Sequence, residues 1–233
     1  MSLATDLTTI AENTPKVYEA GKKTIIDSID GLYRFFTGLG SKAQNMQLLP
    51  YILEKDWQGQ TVNMQYTFQD NMIITEFTGL KNARVTSPHG MFLRCVNLKT
   101  VSNLEKLIVG MLVTDLFNGC SSLEDAGTIN FEGVVYATRA FTGCIALKEI
   151  QIVGTIKLSL DFQDSTLLSK ESIKSIVNAL SQTTSGLTIT FSKTAVNNAF
   201  GINVDDPTTY PEGSEYYILR NSKSNWTFNY VQG

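Results

Sequence analysis

The sequence predicts an α+β solenoid, a fold in which short coils of chain stack and bury their apolar side chains against neighbouring coils. The first observation is a phenylalanine that recurs five times, at intervals of 24, 25, 24 and 21 residues. The second is a cysteine, serine or asparagine three positions after each phenylalanine, followed three positions later by an aliphatic residue. Self-similarity at a period of roughly 20 to 50 residues is typical of stacked repeats.

The recurring positions predict a structural repeat ladder inside the stack. The phenylalanines are Phe68, Phe92, Phe117, Phe141 and Phe162. The residues three positions later are Asn71, Cys95, Cys120, Cys144 and Ser165, and the aliphatic residues are Ile74, Leu98, Leu123, Leu147 and Leu168. Because equivalent positions superpose in a stack, we expect the three thiols to fill space as small, weakly polar groups.

Residues 1–40 are the first of three predicted segments, a helical attachment or oligomerisation element. Thr14 and Pro15 form a typical helix start, because proline at the first helical position loses no hydrogen bond. The spacing then predicts one helix to residue 36 with an apolar stripe. Its oligomerisation candidates are Val17, Ile25, Ile29, Leu32 and Phe36. Such a stripe must pack against something, and we expect self-association, with docking on the solenoid as the alternative.

Residues 41–168 are predicted to form the solenoid together with an irregular N-terminal cap. Short runs of strand-like composition precede the phenylalanines, as at Leu107–Val113, and a second set follows the aliphatic positions, as at Leu147–Ile152. Stacked coils of this kind should give two narrow sheets on opposite faces. A cap is expected before them because a terminal coil would otherwise leave an open strand edge.

Residues 169–233 are predicted to form a C-terminal α/β capping region. Ser169 is a suitable N-cap for a helix that reaches Leu180, and Trp226–Val231 has the composition of a strand. Aromatic residues are frequent at this end, among them Tyr210, Tyr216 and Tyr217. They are expected to form the core of the cap, with an exposed binding cluster as the weaker alternative.

Composition argues against several classes of partner. The net charge of −3 provides no clustered positive charge for nucleic acid. No apolar run reaches the roughly 18 residues needed to cross a bilayer. The first residues lack the basic and apolar regions of a secretory signal. We therefore expect no nucleic-acid partner, no membrane insertion and no general export.

The sequence contains little that favours catalysis, so we expect a protein that is not an enzyme and has no cofactor or metal. The cysteines are separated by the repeat period, whereas zinc sites usually pair ligands two to four residues apart. His89 lies six residues before Cys95, but in a Pro-Gly turn and not beside a buried thiol. The acidic loop at 205–215 could offer oxygen atoms to Ca²⁺, yet it lacks EF-hand spacing, and a solvated turn is predicted.

Outward-facing charges supply the remaining binding candidates, which are weak. Lys99, Glu124 and Lys148 each follow the aliphatic residue of a central row. Because these charges are mixed in sign, a solvated face is the simpler interpretation.

The pattern Phe-x-x-Cys-x-x-Leu-x-x-Ile resembles the BspA-type leucine-rich repeat. The matching rows are Phe92–Val101, Phe117–Ala126 and Phe141–Ile150. This resemblance covers a little under half of the chain and implies a leucine-rich repeat fold of about five repeats of roughly 24 residues. It implies little about activity, since such repeats serve in adhesion, host-protein binding and virion structures.

The opening stretch, Leu7–Lys23, is similar to the start of structural proteins from phages and prophages of Gram-positive gut bacteria. This resemblance implies a non-enzymatic tail-fibre, baseplate or receptor-binding component of a phage or phage-tail-like particle, assembled in the bacterial cytoplasm. The implied partners are a protein or cell-surface glycan, other particle subunits, and copies of itself in a homo-oligomer such as a trimer. The alternative is a BspA-like adhesin at the bacterial cell surface that binds a host or matrix protein.

Overall fold

The computed structural model describes residues 32–38, 43–105 and 112–232. The strands of this part are β1 (Thr61–Val62), β2 (Glu76–Phe77), β3 (Arg84–Val85), β4 (Thr100–Val101), β5 (Asp125–Asn130), β6 (Glu149–Val153), β7 (Leu160–Phe162), β8 (Leu187–Ser192) and β9 (Trp226–Val231). The α-helices are α1 (Leu49–Glu54), α2 (Lys170–Ala179), α3 (Lys193–Phe200) and α4 (Glu215–Asn221). Short 3₁₀ helices span Ala43–Leu48 and Pro207–Thr209.

The strands of the described residues pair in parallel and form three sheets. These are a two-stranded sheet β1-β3, a four-stranded sheet β2-β4-β5-β6 and a three-stranded sheet β7-β8-β9. Parallel neighbours require crossover connections. In the three-stranded sheet these crossovers contain helices, with α2 between β7 and β8, and α3 and α4 between β8 and β9. This is an α/β arrangement.

The predicted α+β leucine-rich repeat solenoid is therefore wrong. The described chain is an α/β fold with mostly parallel sheets and four α-helices. In the described part of the runs before Phe117 and Phe141, for which a sheet is predicted, pairing is limited to an isolated bridge between Leu112 and Tyr136. Regular spacing of buried residues arises in any parallel arrangement whose crossovers return the chain to the same register. Spacing alone was therefore insufficient to determine the fold class.

A column of phenylalanine rings lies at the centre of the core. From Phe68 to Phe162, successive ring centroids are 5.4, 5.5, 6.0 and 4.6 Å apart. The column continues to Phe36, 5.0 Å from Phe68, and to Phe191, 6.1 Å from Phe162. Rings at such separations attract one another beyond the effect of burial alone. The aliphatic positions beside the column are buried as well, namely Ile74, Leu98, Leu123, Leu147 and Leu168.

The C-terminal end of the predicted N-terminal helix is not helical, because residues 33–36 form a turn. The N–H of Leu32 donates to Asn63 O at 3.2 Å, and the N–H of Phe36 donates to Thr67 O at 2.8 Å. Both side chains are fully buried. Their assignment to an oligomerisation stripe is wrong, since they pack in the core of their own chain. Val17, Ile25 and Ile29 lie outside the described residues.

Helix α2 protects the edge of the four-stranded sheet. It begins after Ser169, whose hydroxyl accepts a hydrogen bond from Ser172 N–H at 3.2 Å. The hydroxyls of Ser172 and Ser175 accept from Ile150 N–H at 3.0 Å and from Ile152 N–H at 2.8 Å. These bonds satisfy edge-strand donors of β6 that would otherwise be open to another strand.

Candidate functional site

Residues with a left-handed backbone conformation flank the ring column on both sides, so that each phenylalanine row from Phe36 to Phe141 has one before the ring and one after it. Positive φ angles occur two positions before the stacked phenylalanines, at Arg34, Tyr66, Gly90, Asp115 and Arg139, and two positions after them, at Gly38, Asp70, Arg94, Gly119 and Gly143. The left-handed region reverses the chain sharply, and non-glycine residues enter it only when surrounding contacts hold them there. Where these positions carry long polar side chains, side chains of successive rows meet, as Asp70 meets Arg94 and Asp115 meets Arg139.

Bidentate ion pairs join left-handed residues of successive phenylalanine rows. Arg94 donates to Asp70 at 2.5 Å from Nε and 2.7 Å from Nη2. Arg139 donates to Asp115 in the same manner, at 2.8 and 2.9 Å. In each pair the arginine hydrogen bond lowers the pKa of the carboxyl group. Forked pairs of this kind hold both partners in one geometry.

His89 is held by a tyrosine and not by a thiol. The Tyr66 hydroxyl lies 2.6 Å from His89 Nε2, and the guanidinium of Arg34 lies 5.2 Å from the centre of the Tyr66 ring. The ring covers Gly90, where an added Cβ would approach it to 2.4 Å. Glycine is therefore required beneath this tyrosine, for space as well as for its positive φ.

The three cysteines are buried, and each thiol donates to a backbone carbonyl of the preceding row. Cys95 Sγ lies 2.9 Å from Phe68 O, Cys120 Sγ lies 3.0 Å from Phe92 O, and Cys144 Sγ lies 3.3 Å from Phe117 O. Burial raises the pKa of all three thiols, that of Cys120 to about 12. Nucleophilic and metal-binding cysteines act as thiolates, so this environment favours the inert neutral form.

The charged binding candidates of the central region lie on the surface. Lys148 Nζ donates to Glu124 Oε2 at 2.9 Å, and both side chains are about half exposed. This hydrogen bond, followed by the charge of Lys148, lowers the pKa of Glu124. Lys99 is in the neighbouring row, where its carbonyl accepts from Glu124 N–H at 2.8 Å. The structure thus brings the three residues together as an exposed strip of alternating charge.

The tyrosine candidates have different environments. Tyr216 is buried, and its hydroxyl contacts the hydroxyl of Tyr230. Tyr210 packs edge-on against Tyr216, with ring centroids 5.3 Å apart, and donates to Val204 O at 3.2 Å. Tyr217 is half-buried on α4. Tyr210 and Tyr216 therefore serve local packing, whereas Tyr217 remains a partly exposed ring on α4.

The carboxylates of the acidic loop do not converge. Asp205 pairs with Lys193 at 2.7 Å, and Glu215 pairs with Lys170 at 3.1 Å and with Lys174 at 3.0 Å. Across the residues that the structure describes, no group of three or more His, Cys, Asp or Glu side chains is arranged to hold a metal ion.

The row at residues 34–38 escaped the sequence-based search. Its sequence, Arg34-Phe-Phe-Thr-Gly38, differs at one position from Arg139-Ala-Phe-Thr-Gly143. Arg34 N–H donates to Gln65 O at 3.2 Å and Gly38 N–H donates to Gln69 O at 2.8 Å. This near-identity was a usable signal, but the helical spacing of residues 17–36 obscured it.

Comparisons of the chain with protein-family models, with curated proteins and with solved structures find no match. Of the helices within residues 32–38, 43–105 and 112–232, none has the length and apolar composition required to span a membrane.

Proposed function

We propose that this chain is a non-enzymatic structural and binding component of a phage or phage-tail-like particle, in a tail fibre, baseplate or receptor-binding position. The observation that carries the proposal is that the side chains most suited to catalysis are held in structural hydrogen bonds. The ring of His89 bonds to Tyr66, the thiols bond to backbone carbonyls, and Asp115 is bound by Arg139. These contacts stabilise the packing of successive phenylalanine rows beneath the surface. Rigid elements of this kind are the best support for a binding site.

The exposed apolar residues next to the cysteine positions support a binding role. Met72, Ile73, Ile145 and Leu167 each follow such a position by one or two residues and are about half exposed. Exposed apolar side chains of this size are available for contact with a partner. The similarity of Leu7–Lys23 to virion structural proteins supports placement in a particle that assembles in the bacterial cytoplasm.

The partners we propose are a protein or glycan of a cell surface, other subunits of the particle, and further copies of this chain. Neither nucleic acid nor membrane insertion is part of this function. A protein with this role performs its task by binding, and no cofactor is required.

Gold-labelled antibody microscopy on particles released by the producing culture tests the location directly. We expect gold on tails or tail-like tubes, because a structural component stays with the assembled particle. Pre-immune antibody on the same grids is the control. Bare particles together with label on intact cell walls would reject the virion proposal and favour a bacterial surface adhesin.

Removal of residues 1–31 tests self-association while retaining Leu32 and Phe36, which are buried in the core. If this segment joins the copies, the native mass measured by light scattering after size exclusion should fall from that of an oligomer to that of a monomer. The control is the thermal melt of the shortened chain, which should remain cooperative. An unchanged oligomeric mass would show that the segment is not the oligomerisation element.

A further inference from the structure

The backbone hydrogen bonds that join the phenylalanine rows are interrupted at one junction. Asp115 N–H donates to Thr138 O at 3.0 Å and Phe117 N–H donates to Ala140 O at 2.9 Å. At the following row, the N–H groups of Arg139 and Phe141 have no hydrogen-bond partner within the described residues. Between them, Ala140 N–H donates to Ala137 O at 3.1 Å. Most backbone donors in native proteins are paired with protein groups or with water, so the open N–H groups of Arg139 and Phe141 are available to a bound molecule.

The interruption arises because residues 139–143 and strand β7 stay in contact on the side of the phenylalanine rings but separate on the opposite side. On the inner side, the rings of Phe141 and Phe162 remain 4.6 Å apart. Beyond the ring, Gly143 N–H donates at 2.7 Å to the carboxylate of Asp164 instead of to a backbone carbonyl. On the outer side, β7 pairs with β8, and a cavity of about 410 Å³ opens between the row and the sheet.

The cavity is lined by hydroxyls and a carboxylate. The polar side chains around it are Thr138, Thr142, Ser159, Asp161, Thr188 and Thr190. Thr190 is 8% exposed. Its hydroxyl makes no hydrogen bond to the described part of the chain and remains accessible from the cavity. Strand register places Thr190 directly beside Asp161. The accessible hydroxyl of Thr190, the carboxylate of Asp161 and two open backbone donors thus line the same space.

The charged and hydrogen-bonding groups that line the cavity indicate the class of ligand. The arginine in the lining, Arg139, has its guanidinium bound by Asp115, and the lining contains no lysine. An anion therefore finds no free positive charge. A sugar hydroxyl both donates and accepts hydrogen bonds, which suits a wall that alternates N–H groups, hydroxyls and a carboxylate. Ala137 and Ala140 supply small apolar surface for the carbon face of a sugar ring.

We infer that the cavity between residues 137–142 and strands β7 and β8 binds a neutral hexopyranose unit of a glycan. Its volume lies within the range of roughly 300–1,000 Å³ that is usual for small-molecule sites. It also exceeds many times the share of about 30 Å³ that a single bridging water occupies. The inference rests on the proposed function and refines it, because it names a glycan as the surface partner and locates the site.

Titration of the full chain with D-glucose, D-galactose and N-acetyl-D-glucosamine, followed by amide NMR, tests the inference. We expect at least one sugar to produce saturable shifts at the amides of Arg139 and Phe141. Thr190→Val keeps the shape of the side chain and removes the hydroxyl. This substitution should raise the dissociation constant for that sugar about ten-fold. The matched control is Thr227→Val on β9, which lies outside the cavity lining and should bind as the parent does.

Several outcomes would overturn the inference. They are an absence of shifts at Arg139 and Phe141 with all three sugars, shifts confined to other surfaces, and equal weakening by Thr190→Val and Thr227→Val. Any of these would mean that the cavity holds water only. The particle assignment is judged separately: labelled tails with no sugar binding would reject the site alone, and sugar binding with unlabelled tails would reject the particle assignment alone.

Discussion

Replacing Phe117 with alanine is expected to lower the free energy of unfolding by about 3–5 kcal/mol. Phe117 is fully buried in the middle of the ring column, 5.5 Å from Phe92 and 6.0 Å from Phe141. Removal of the ring leaves a cavity that the neighbours cannot fill, because parallel hydrogen bonds on both sides hold the rows at their spacing. Urea unfolding followed by circular dichroism provides the measurement.

The control for this substitution is Tyr136→Ala. Tyr136 is also aromatic and lies one row away, but it is 60% exposed. Surface substitutions of this kind usually change stability by no more than about 0.5 kcal/mol. Similar losses for the two variants would mean that the ring column does not dominate the stability of this region.

In the native protein, Cys120 is expected to react with a disulfide reagent about a thousand-fold more slowly than in the unfolded chain. The rate follows the thiolate fraction, which falls ten-fold for each unit by which the pKa rises. Desolvation raises the pKa of Cys120 from 9.0 to about 12. A background with Cys95→Ser and Cys144→Ser isolates this thiol. Serine is suited to these positions, since Ser165 occupies the corresponding position after Phe162, is fully buried, and donates to a backbone carbonyl, Cys144 O, at 3.3 Å.

The raised pKa also determines how stability depends on pH. Below about pH 9 the Cys120 thiol is neutral in both states, and its full contribution to stability is present. As the pH rises from 9 towards 12, the unfolded thiol ionises while the folded thiol stays neutral, and this contribution is lost. In the same serine background, Cys120→Ala should show a smaller alkaline loss. Equal losses, or rapid native labelling, would contradict the assigned environment.

The N-terminal segment shows why part of the fold escaped prediction. Residues 17–36 carry an apolar residue every three or four positions, which is the ordinary signature of a helix. At Leu32 and Phe36, however, the chain hydrogen-bonds to residues 63–67 and adds a ring to the column. These bonds and the ring contact stabilise the turn relative to a helix. Local periodicity cannot predict this, because it contains no information about the distant residues that provide the bonds.

The candidate binding site was beyond prediction for a similar reason. Threonines such as Thr188 and Thr190 are ordinary strand residues, and Asp161 carries no motif. They form a cavity only because β7 pairs with β8 while the neighbouring row separates from it. The three charged candidates Lys99, Glu124 and Lys148 could be placed together from spacing alone, since equal spacing in parallel rows brings equivalent positions side by side.

The residues that occupy the core can be predicted from the sequence. Burial follows from apolar character and even spacing, and both are visible in the column from Phe68 to Phe162 and in the cysteines beside it. The fold class, the packing of Leu32 and Phe36 in the core, and the open junction beside Phe141 become visible only in the folded chain. These features depend on which strands pair and where pairing stops, and that choice is made by hydrogen bonds between residues far apart in the chain.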